Sequence, residues 1–567
     1  MYRYDAIDRQ ILKERVAQHR DQIERNLAGE LSDDELRPMR LQNGLYIERH
    51  APMLRVAIPY GQLSSAQLRK LAEISRRYDR RYGHFTTRHN LQFNWPKFEQ
   101  TPDLLEELST VDMHGIQSSG SCIRNITTDP FAGVAPDERE DPRPYCEIFR
   151  QWSTFHPEFT FLPRKFKIAI SGSAEDRAII RAHDLGLEIV KNPEDETGFR
   201  VFAGGGMGRA PMIGQIVRDF LPRRHALSYL EALLRVYNRY GRRDNLYKSR
   251  IKILVNSLGI REFTRRVEAE WAYLKDGPST LTDADFDRFA RCFTPPPYEI
   301  LPEDTPSLTE EAEKNGAFAF WLKYNIFPHK IPGYAAVVLP LKAMGKPPGD
   351  ITDIQMDGLA DLAERFSFGE LRVGHDQNLV LANVRRSDLF ILWKALRPLG
   401  LSTPAAGLLP DMICCPGGDY CGLANARSLP LANAIQERFS NPARLRDIGK
   451  ISLNVSGCVN SCGHHHVANI GILGVDKNAA EWYQVSLGGR QGNRATIGKI
   501  IGPAFTPKEI PDVIEALIDV YFENRTASEC FIDTLERIGV EPFRARAYRG
   551  RDKSKLARID NREPSNA

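Results

Sequence analysis

The sequence predicts an α+β chain built from two related halves, and three observations carry that prediction. Segments with period-two alternation are interleaved with segments whose apolar residues recur at three- and four-residue spacing. A run of prolines and acidic residues, CFTPPPYEILPEDTPSLTEE at 292–311, punctuates the middle of the chain. On either side of it the same order of strand, Ser-Gly turn, strand and glycine loop recurs. LPRKFKIAISGS (162–173) with FRVFAGGGMGRAPMIG (199–214) answers to IGKISLNVSGCVNSC (448–462) with WYQVSLGGRQGNRATIG (482–498). Pairing Lys167 with Lys450 and Gly204 with Gly488 requires nearly one offset, about 283 positions, as a duplicated fold demands.

The elements follow in order. MYRYDAIDRQILKERVAQHRDQIERN mixes apolar and charged residues at helical spacing, with neither an apolar h-region nor a small-residue cleavage site, and reads as a surface helix. Strands are expected in LRVAIPY (54–60) and HFTTRHNLQF (84–93), with the helix SSAQLRKLAEISRRYDRR (64–81) between them. YAAVVLPL (334–341), the helix MDGLADLAERF (356–366) and ELRVGHDQNLVLANV (370–384) repeat that order, and RHNLQFNW (88–95) matches DQNLVLANV (376–384). The tail from Arg544, RARAYRGRDKSKLARIDNREPSNA, is basic and weakly hydrophobic, a solubilising extension or a docking arm for an acidic electron donor.

Composition narrows the class. With 42% hydrophobic and 26% charged residues in 567, the chain has the content of soluble globular proteins and room for several cores. No run approaches the roughly 18 apolar residues of a membrane span, and a net charge of +4 gives no whole-chain case for nucleic acid. A soluble, cytoplasmic chain acting without membrane or nucleic acid is expected. Nine cysteines do not suggest a disulfide framework in a chain of this size, so metal or redox chemistry is the better reading.

Five of the nine cysteines fall between residues 414 and 462, in MICCPGGDYCGLANARS (412–428) and LNVSGCVNSCGHHHVANIGILGV (453–475). Two close pairs on Gly-rich turns, Cys415 with Cys421 and Cys458 with Cys462, suit an iron–sulfur cluster, because short loops let sulfurs converge while Gly and Asn admit positive φ. Zinc is the competing occupant: Cys458, Cys462 and His464 or His465 could close a tetrahedral site, though the Cys415–Cys421 spacing suits zinc poorly.

At this point the sequence resembles the siroheme-containing sulfite and nitrite reductase family, whose signature is a C-x5-C pair followed by C-x3-C in an SGC-x-N-x-C-G context; SGCVNSCG matches it. The resemblance implies that Cys415, Cys421, Cys458 and Cys462 hold a [4Fe–4S] cluster and that Cys462 is also axial to the siroheme iron. It implies a duplicated nitrite/sulfite reductase fold with a ferredoxin-like central domain built from both halves and two flanking α/β lobes. The expected division is an N-terminal helical arm at 1–45, ferredoxin-like halves at 46–120 and 326–400, a siroheme and substrate lobe at 121–290, a linker at 291–325, a cluster lobe at 401–545 and a basic tail at 546–567. Cys414 is off register and is expected to be a buried neighbour.

Sulfite is a small oxyanion and siroheme carries many carboxylates, so the site should be rich in cations. TTRHNLQF places Arg88, Asn90 and Gln92 on one face of an alternating strand, GSCIRNITTDP offers Arg124, and LPRKFK places Lys165 and Lys167 two apart on another strand. Two like charges on one strand face repel unless an anion lies between them. By the resemblance, Arg88, Arg124, Lys165 and Lys167 bind sulfite and deliver protons. The nitrite-reducing branch typically has asparagine at the position of Lys167, which favours sulfite here, with nitrite as the alternative. Asn90, Gln92, Asn125, Arg209, Lys248, Arg250, Arg490 and Arg494 are further expected siroheme contacts. His464–His466 are expected to brace the cluster loop, and Cys122 lies two residues before Arg124. No flavin or NADPH domain is encoded in the sequence, so the expected donor is a separate protein, either a ferredoxin or an NADPH-dependent diflavin reductase. A zinc-structured nucleic-acid-binding protein is the remote alternative; it leaves the repeated anion-binding strands unexplained.

Overall fold

The computed structural model describes residues 1–551. They form two compact units. One comprises Met1–Gly206, Met212–Leu341 and Asp350–Pro404, the other Met207–Pro211, Lys342–Gly349 and the residues from Ala405 onward.

Within the first unit, two five-stranded sheets come from matching stretches of the two halves, and each borrows an edge strand from the other half. Leu45–Ile47, Pro52–Ala57, Asn90–Phe93 and Tyr82–Phe85 are completed by Asp350–Thr352, antiparallel to Tyr82–Phe85. Reciprocally, Ile326–Pro328, Tyr334–Pro340, Asn378–Arg385 and Glu370–Val373 are completed by Gln62–Ser64. Each exchanged strand runs directly into a helix opened by a capping box, Ser64 with Gln67 before Ser65–Tyr78 and Thr352 with Gln355 before Asp353–Phe366. The apolar stripes of these helices, Leu68 and Leu71 on one and Leu359 and Ala363 on the other, join Val56, Leu91, Val337 and Leu381 in one core. Each large aliphatic side chain buried there contributes about 1.5–3 kcal/mol. Neither half completes its own sheet, so the ferredoxin-like domain is assembled from both.

Two strands are shorter than their alternation suggests. HFTTRHNLQF is a hairpin, Tyr82–Phe85 and Asn90–Phe93, turning through 86–89 with His89 at φ 52°. Thr86 closes it: its N–H donates to Asn90 O at 2.9 Å, and its hydroxyl accepts from the N–H groups of Arg88 and Asn90 at 3.3 Å each. The second half turns the same way, Gly374 N–H to Asn378 O at 2.9 Å with Gln377 at φ 62°. No glycine or asparagine occupies the left-handed position in either turn, so the alternation reads straight through it. Likewise the strand Pro52–Ala57 stops before LRVAIPY ends, because Pro59–Gly61 turns with Tyr60 at φ 44°.

Much of the expected linker is ordered. Helices Pro306–Lys314 and Gly316–Asn325 place Leu308, Phe318 and Trp321 in the core, leaving 294–305 irregular.

The remaining sheet of the first unit runs Thr127–Thr128, Ile168–Ser171 and Leu185–Lys191 in parallel, then Thr197–Ala203 and Gln215–Pro222 antiparallel. The second unit repeats this topology with Ile413–Cys414, Leu453–Ser456 and Ile470–Lys477 parallel and Ala480–Leu487 and Lys499–Ile500 antiparallel. Register corrects the sequence alignment. Ile168 pairs with Leu185 as Leu453 pairs with Ile470, so Lys167 answers to Ser452 and not to Lys450. The backbone agrees: Lys167 N–H donates to Asp184 at 2.9 Å, and Ser452 N–H donates to Asn469 at 3.0 Å.

The basic tail begins later than expected. Arg544 lies in the helix Glu541–Ala547, and Tyr548 stacks on Phe505 with ring centroids 4.7 Å apart. Residues 552–567 lie outside the described residues. Among the described residues no helix is long and apolar enough to cross a membrane.

Candidate active site

The first unit gathers cations around one buried carboxylate. Arg88 sits in the hairpin turn, not on the strand face with Asn90 and Gln92, because the chain reverses between residues 85 and 90. Its guanidinium donates to Asn125 O at 2.6 Å and Thr127 Oγ1 at 2.7 Å and meets His183 Nε2 at 2.5 Å. Burial lowers its pKa to about 9, with Arg124 and Arg250 adding repulsion and Asp184 opposing them. Arg124 spends its donors on the carbonyls of Gly120 (3.0 and 2.7 Å) and Ser118 (3.0 Å).

Lys165 and Lys167 precede the ladder, which begins at Ile168, and flank the fully buried Phe166 in an extended bridge to Ile123. Phe166 N–H donates to Cys122 O at 3.0 Å and Phe166 O accepts from Arg124 N–H at 2.8 Å, which ties the lysines to the Arg124 turn. Nearby, burial pushes the Tyr46 phenol up, yet Arg124, Arg55 and Lys165 together bring it below its ordinary value. Asp184 accepts from Arg250 at 2.8 and 2.7 Å. Lys252 is 4% exposed, and burial, with Arg250 pushing the same way and Asp184 opposing, lowers its pKa to about 8. A cluster this rich in partly desolvated positive charge is stabilised by an anion and steers anions toward it.

The expected amide contacts serve as braces. Asn125 Nδ2 donates to Ile58 O and His89 O, both at 3.0 Å, locking the turn that carries Arg88. Asn90 is buried, with Oδ1 3.3 Å from Asn125 Nδ2. Gln92 Oε1 accepts from Arg55 Nε and Nη2 at 3.1 and 2.8 Å. Of the outlying cations, Arg250 joins the cluster but is paired, Lys248 is half-buried in the loop ahead of helix Ile251–Leu258, Arg490 pairs with Glu536 at 3.1 Å, and Arg209 and Arg494 are exposed. Arg55, Tyr46, Asp184, His183 and Lys252 are the residues that sequence reasoning missed. The available signals were single charges inside the apolar runs MLRVAI and RIKILV.

The second unit carries the cysteine loops. Cys415 follows strand Ile413–Cys414, and its Sγ accepts from Gly457 N–H at 3.2 Å. Burial first, then the neighbouring Cys462, pushes its thiol up to about 11. Cys421 N–H donates to Gly417 O at 2.9 Å across a turn where Gly417 has φ 60° and a Cβ would meet Ser428 Oγ at 2.4 Å. Ser461, at φ 55°, returns its N–H to Cys458 O at 3.2 Å; Cys458 is buried and Cys462 exposed. Cys414 is buried, with Sγ against Cys415 O at 3.3 Å. The histidines brace this loop: His465 Nδ1 meets Ser461 Oγ at 3.2 Å, His466 Nε2 donates to Gly208 O at 3.1 Å, and His464 O accepts from Asn454 at 3.2 Å. Cys122 donates to Ser119 O at 3.2 Å and is a half-buried neighbour of Arg124.

This donor set fits an iron–sulfur cluster. A thiol that burial and a neighbouring sulfur hold protonated, as at Cys415, is relieved once iron takes it as thiolate, and Gly457 N–H already points at that sulfur. Among the described residues no three His, Cys, Asp or Glu side chains converge on a point suited to a single metal ion. A [4Fe–4S] cluster takes its four cysteines at separate irons.

Comparison with known proteins agrees with this chemistry. Residues 119–274 and 409–555 match the nitrite and sulphite reductase 4Fe-4S domain, and residues 48–111 and 335–399 the nitrite/sulfite reductase ferredoxin-like half domain. Sulfite reductase (ferredoxin) 1 of Mycolicibacterium paratuberculosis is 28% identical over 88% of this chain and 84% of its own. Ferredoxin–nitrite reductase of Synechococcus elongatus is 29% identical over 82% of this chain and 85% of its own. The solved structure of the Mycobacterium tuberculosis NirA protein matches with a TM-score of 0.76 at 26% identity, covering 94% of this chain and 97% of that one.

Proposed function

We propose that this chain, which belongs to the nitrite and sulphite reductase family, reduces sulfite to sulfide with six electrons delivered by a ferredoxin. Its cofactors are siroheme and a [4Fe–4S] cluster, which supply the iron that binds the substrate and the store that re-reduces it. In this reading Cys415, Cys421, Cys458 and Cys462 hold the cluster, with Cys462 shared with the siroheme iron.

The observation that supports an oxyanion substrate is the excess of cations around Asp184. Arg88, held by Asn125 O, Thr127 and His183, and Arg124, held by the carbonyls of Gly120 and Ser118, are hydrogen-bonded to neutral groups and act as fixed clamps on sulfite oxygens. Lys165 and Lys167 deliver the protons with which those oxygens leave as water. Gln92 and Asn125 fix Arg55 and the Arg88 turn, and with Asn90 remain proposed cofactor neighbours. Arg209, Lys248, Arg250, Arg490 and Arg494 remain proposed contacts for siroheme carboxylates, Arg250 through its Asp184-held position.

Nitrite is the second reading, favoured by relatives named as nitrite reductases at similar identity. The purified protein should show siroheme Soret and α bands and iron with acid-labile sulfide; their absence refutes the proposal. A higher kcat/KM for nitrite than for sulfite would reverse the substrate assignment, and turnover with a diflavin reductase but not with ferredoxin would reverse the donor.

A further inference from the structure

We propose that the pair of loops holding the four thiols in the second unit has a thiol-free counterpart in the first unit, where Asp129, Asp137, Ser173 and Arg177 form an ion-pair network that cross-links the loops without iron. The proposal rests on the assignment of Cys415, Cys421, Cys458 and Cys462 to the cluster.

The sheet registers identify the equivalent positions. Thr128 pairs with Ile170 as Cys414 pairs with Val455, so the residue that leaves the short parallel strand is Asp129 in one unit and Cys415 in the other. From the end of the next strand, SGSAEDR (171–177) runs without a gap against SGCVNSC (456–462), which puts Ser173 at the place of Cys458 and Arg177 at the place of Cys462. Two residues beyond each run, Ile179 and His464 take the same left-handed conformation, φ 48° and 56°, and each opens a short 3-10 turn. Asp137 lies in the loop after Asp129, as Cys421 lies in the loop after Cys415.

The contacts match as well as the positions. In the second unit Gly457 N–H of one loop points at Cys415 Sγ of the other at 3.2 Å, and Gly457 O accepts from the N–H groups of Asn425 and Ala426 at 2.9 and 3.1 Å. In the first, Asp129 Oδ2 accepts from Arg177 Nε at 2.9 Å and from Ser173 Oγ at 3.2 Å, while the outer nitrogens of Arg177 reach Asp137 at 2.7 and 3.2 Å. Burial pushes the Asp129 carboxyl up and Arg177 pulls against it, the balance of a structural buried pair. The guanidinium also lies 5.1 Å from the ring of Phe327, which stacks on Phe131 at 3.8 Å, so the network is anchored to a strand of the ferredoxin-like domain.

The physical reason is common to both units. Two loops that leave neighbouring parallel strands side by side share only a few backbone bonds, Arg139 N–H to Gly172 O and Ala174 N–H to Asp137 O in one unit and Asn425 and Ala426 N–H to Gly457 O in the other. A multivalent centre adds the side-chain cross-link, four thiolates on iron in one unit and a forked cation between two carboxylates in the other. The first lobe should therefore stay closed when iron is removed.

Hydrogen exchange tests this on the holoenzyme before and after iron chelation. Chelation should speed exchange at least tenfold in peptides spanning 414–422 and 457–463 and leave 129–138 and 172–178 unchanged. Holoenzyme variants Arg177→Lys and Asp129→Asn should speed exchange tenfold in 129–138 and 172–178 while iron content and the visible spectrum stay as in the parent. Equal loosening of both lobes on chelation overturns the proposal, and so does unchanged exchange in both variants. If the variants do not fold, the chelation result on the parent protein decides. Cysteine loops indifferent to chelation would refute the cluster assignment, which the iron and sulfide content of Cys-to-Ser variants checks separately.

Discussion

Asp184 accepts both arms of the Arg250 guanidinium, at 2.8 and 2.7 Å, and its Oδ2 also takes the backbone N–H of Lys167 at 2.9 Å. One carboxylate thus sets the place of an arginine and of the backbone that carries a proposed proton donor. Asp184→Asn keeps the shape and removes the charge. A buried cation left unpaired costs about 3–5 kcal/mol, so the melting temperature should fall by several degrees, while KM for sulfite should fall because the one opposing charge leaves the cation cluster. Calorimetry and steady-state kinetics read both effects, and an unshifted melting temperature would show that Asp184 is not the counter-charge.

Lys167→Asn should reduce kcat/KM for sulfite at least tenfold more than for nitrite, because the dianion loses a charge-assisted donor that a smaller monoanion needs less. Parallel assays with both anions decide it. Equal losses would mean that Lys167 supports catalysis without selecting the substrate.

Cys462→Ser and Cys414→Ser separate ligand from neighbour. Loss of Cys462 should abolish the cluster signal and shift the siroheme bands. Cys414→Ser, altering a buried residue whose Sγ lies against Cys415 O, should leave the iron and sulfide content unchanged. Reversed results would move the ligand set by one residue.

Acid should destabilise the fold through two buried histidines. Burial, reinforced by Arg15 and Arg20, lowers the pKa of His19 to about 4; burial and Arg150 lower that of His114 to about 3. Unfolded, both bind protons near the ordinary value of 6.5, so below that pH the unfolded state holds more protons and stability falls as pH drops toward 4. His19 accounts for about 3 kcal/mol of that loss. His19→Gln should flatten the slope of denaturation midpoint against pH between 6.5 and 4. An unchanged slope would place the acid sensitivity elsewhere.

The duplicated order of elements, the cysteine pairs and the basic residues Arg88, Arg124, Lys165 and Lys167 were legible because each is a local pattern: a period, a spacing or a short motif. One reading failed where a turn carried no turn residue, and another where residue identity stood in for register. Thr86–His89 reverses the chain through side-chain and backbone hydrogen bonds without glycine, so Arg88 was assigned to a strand. The pairing of Lys167 with Lys450 followed residue identity, whereas the ladder places Ser452 there. Nothing local shows that the amide of Asn125 bonds the carbonyls of residues 58 and 89 and so braces the Arg88 turn.

By itself the sequence determined the α+β class, the two-fold repeat and the cysteine and cation motifs, since these depend on residues near one another in the chain. Tertiary structure alone decided which half completes each sheet, which carboxylate sits among the cations, and that Arg55, Tyr46 and Lys252 share their neighbourhood with Arg88. Those relationships join residues tens to hundreds of positions apart. They are set by sheet register and burial, and no local spacing encodes them.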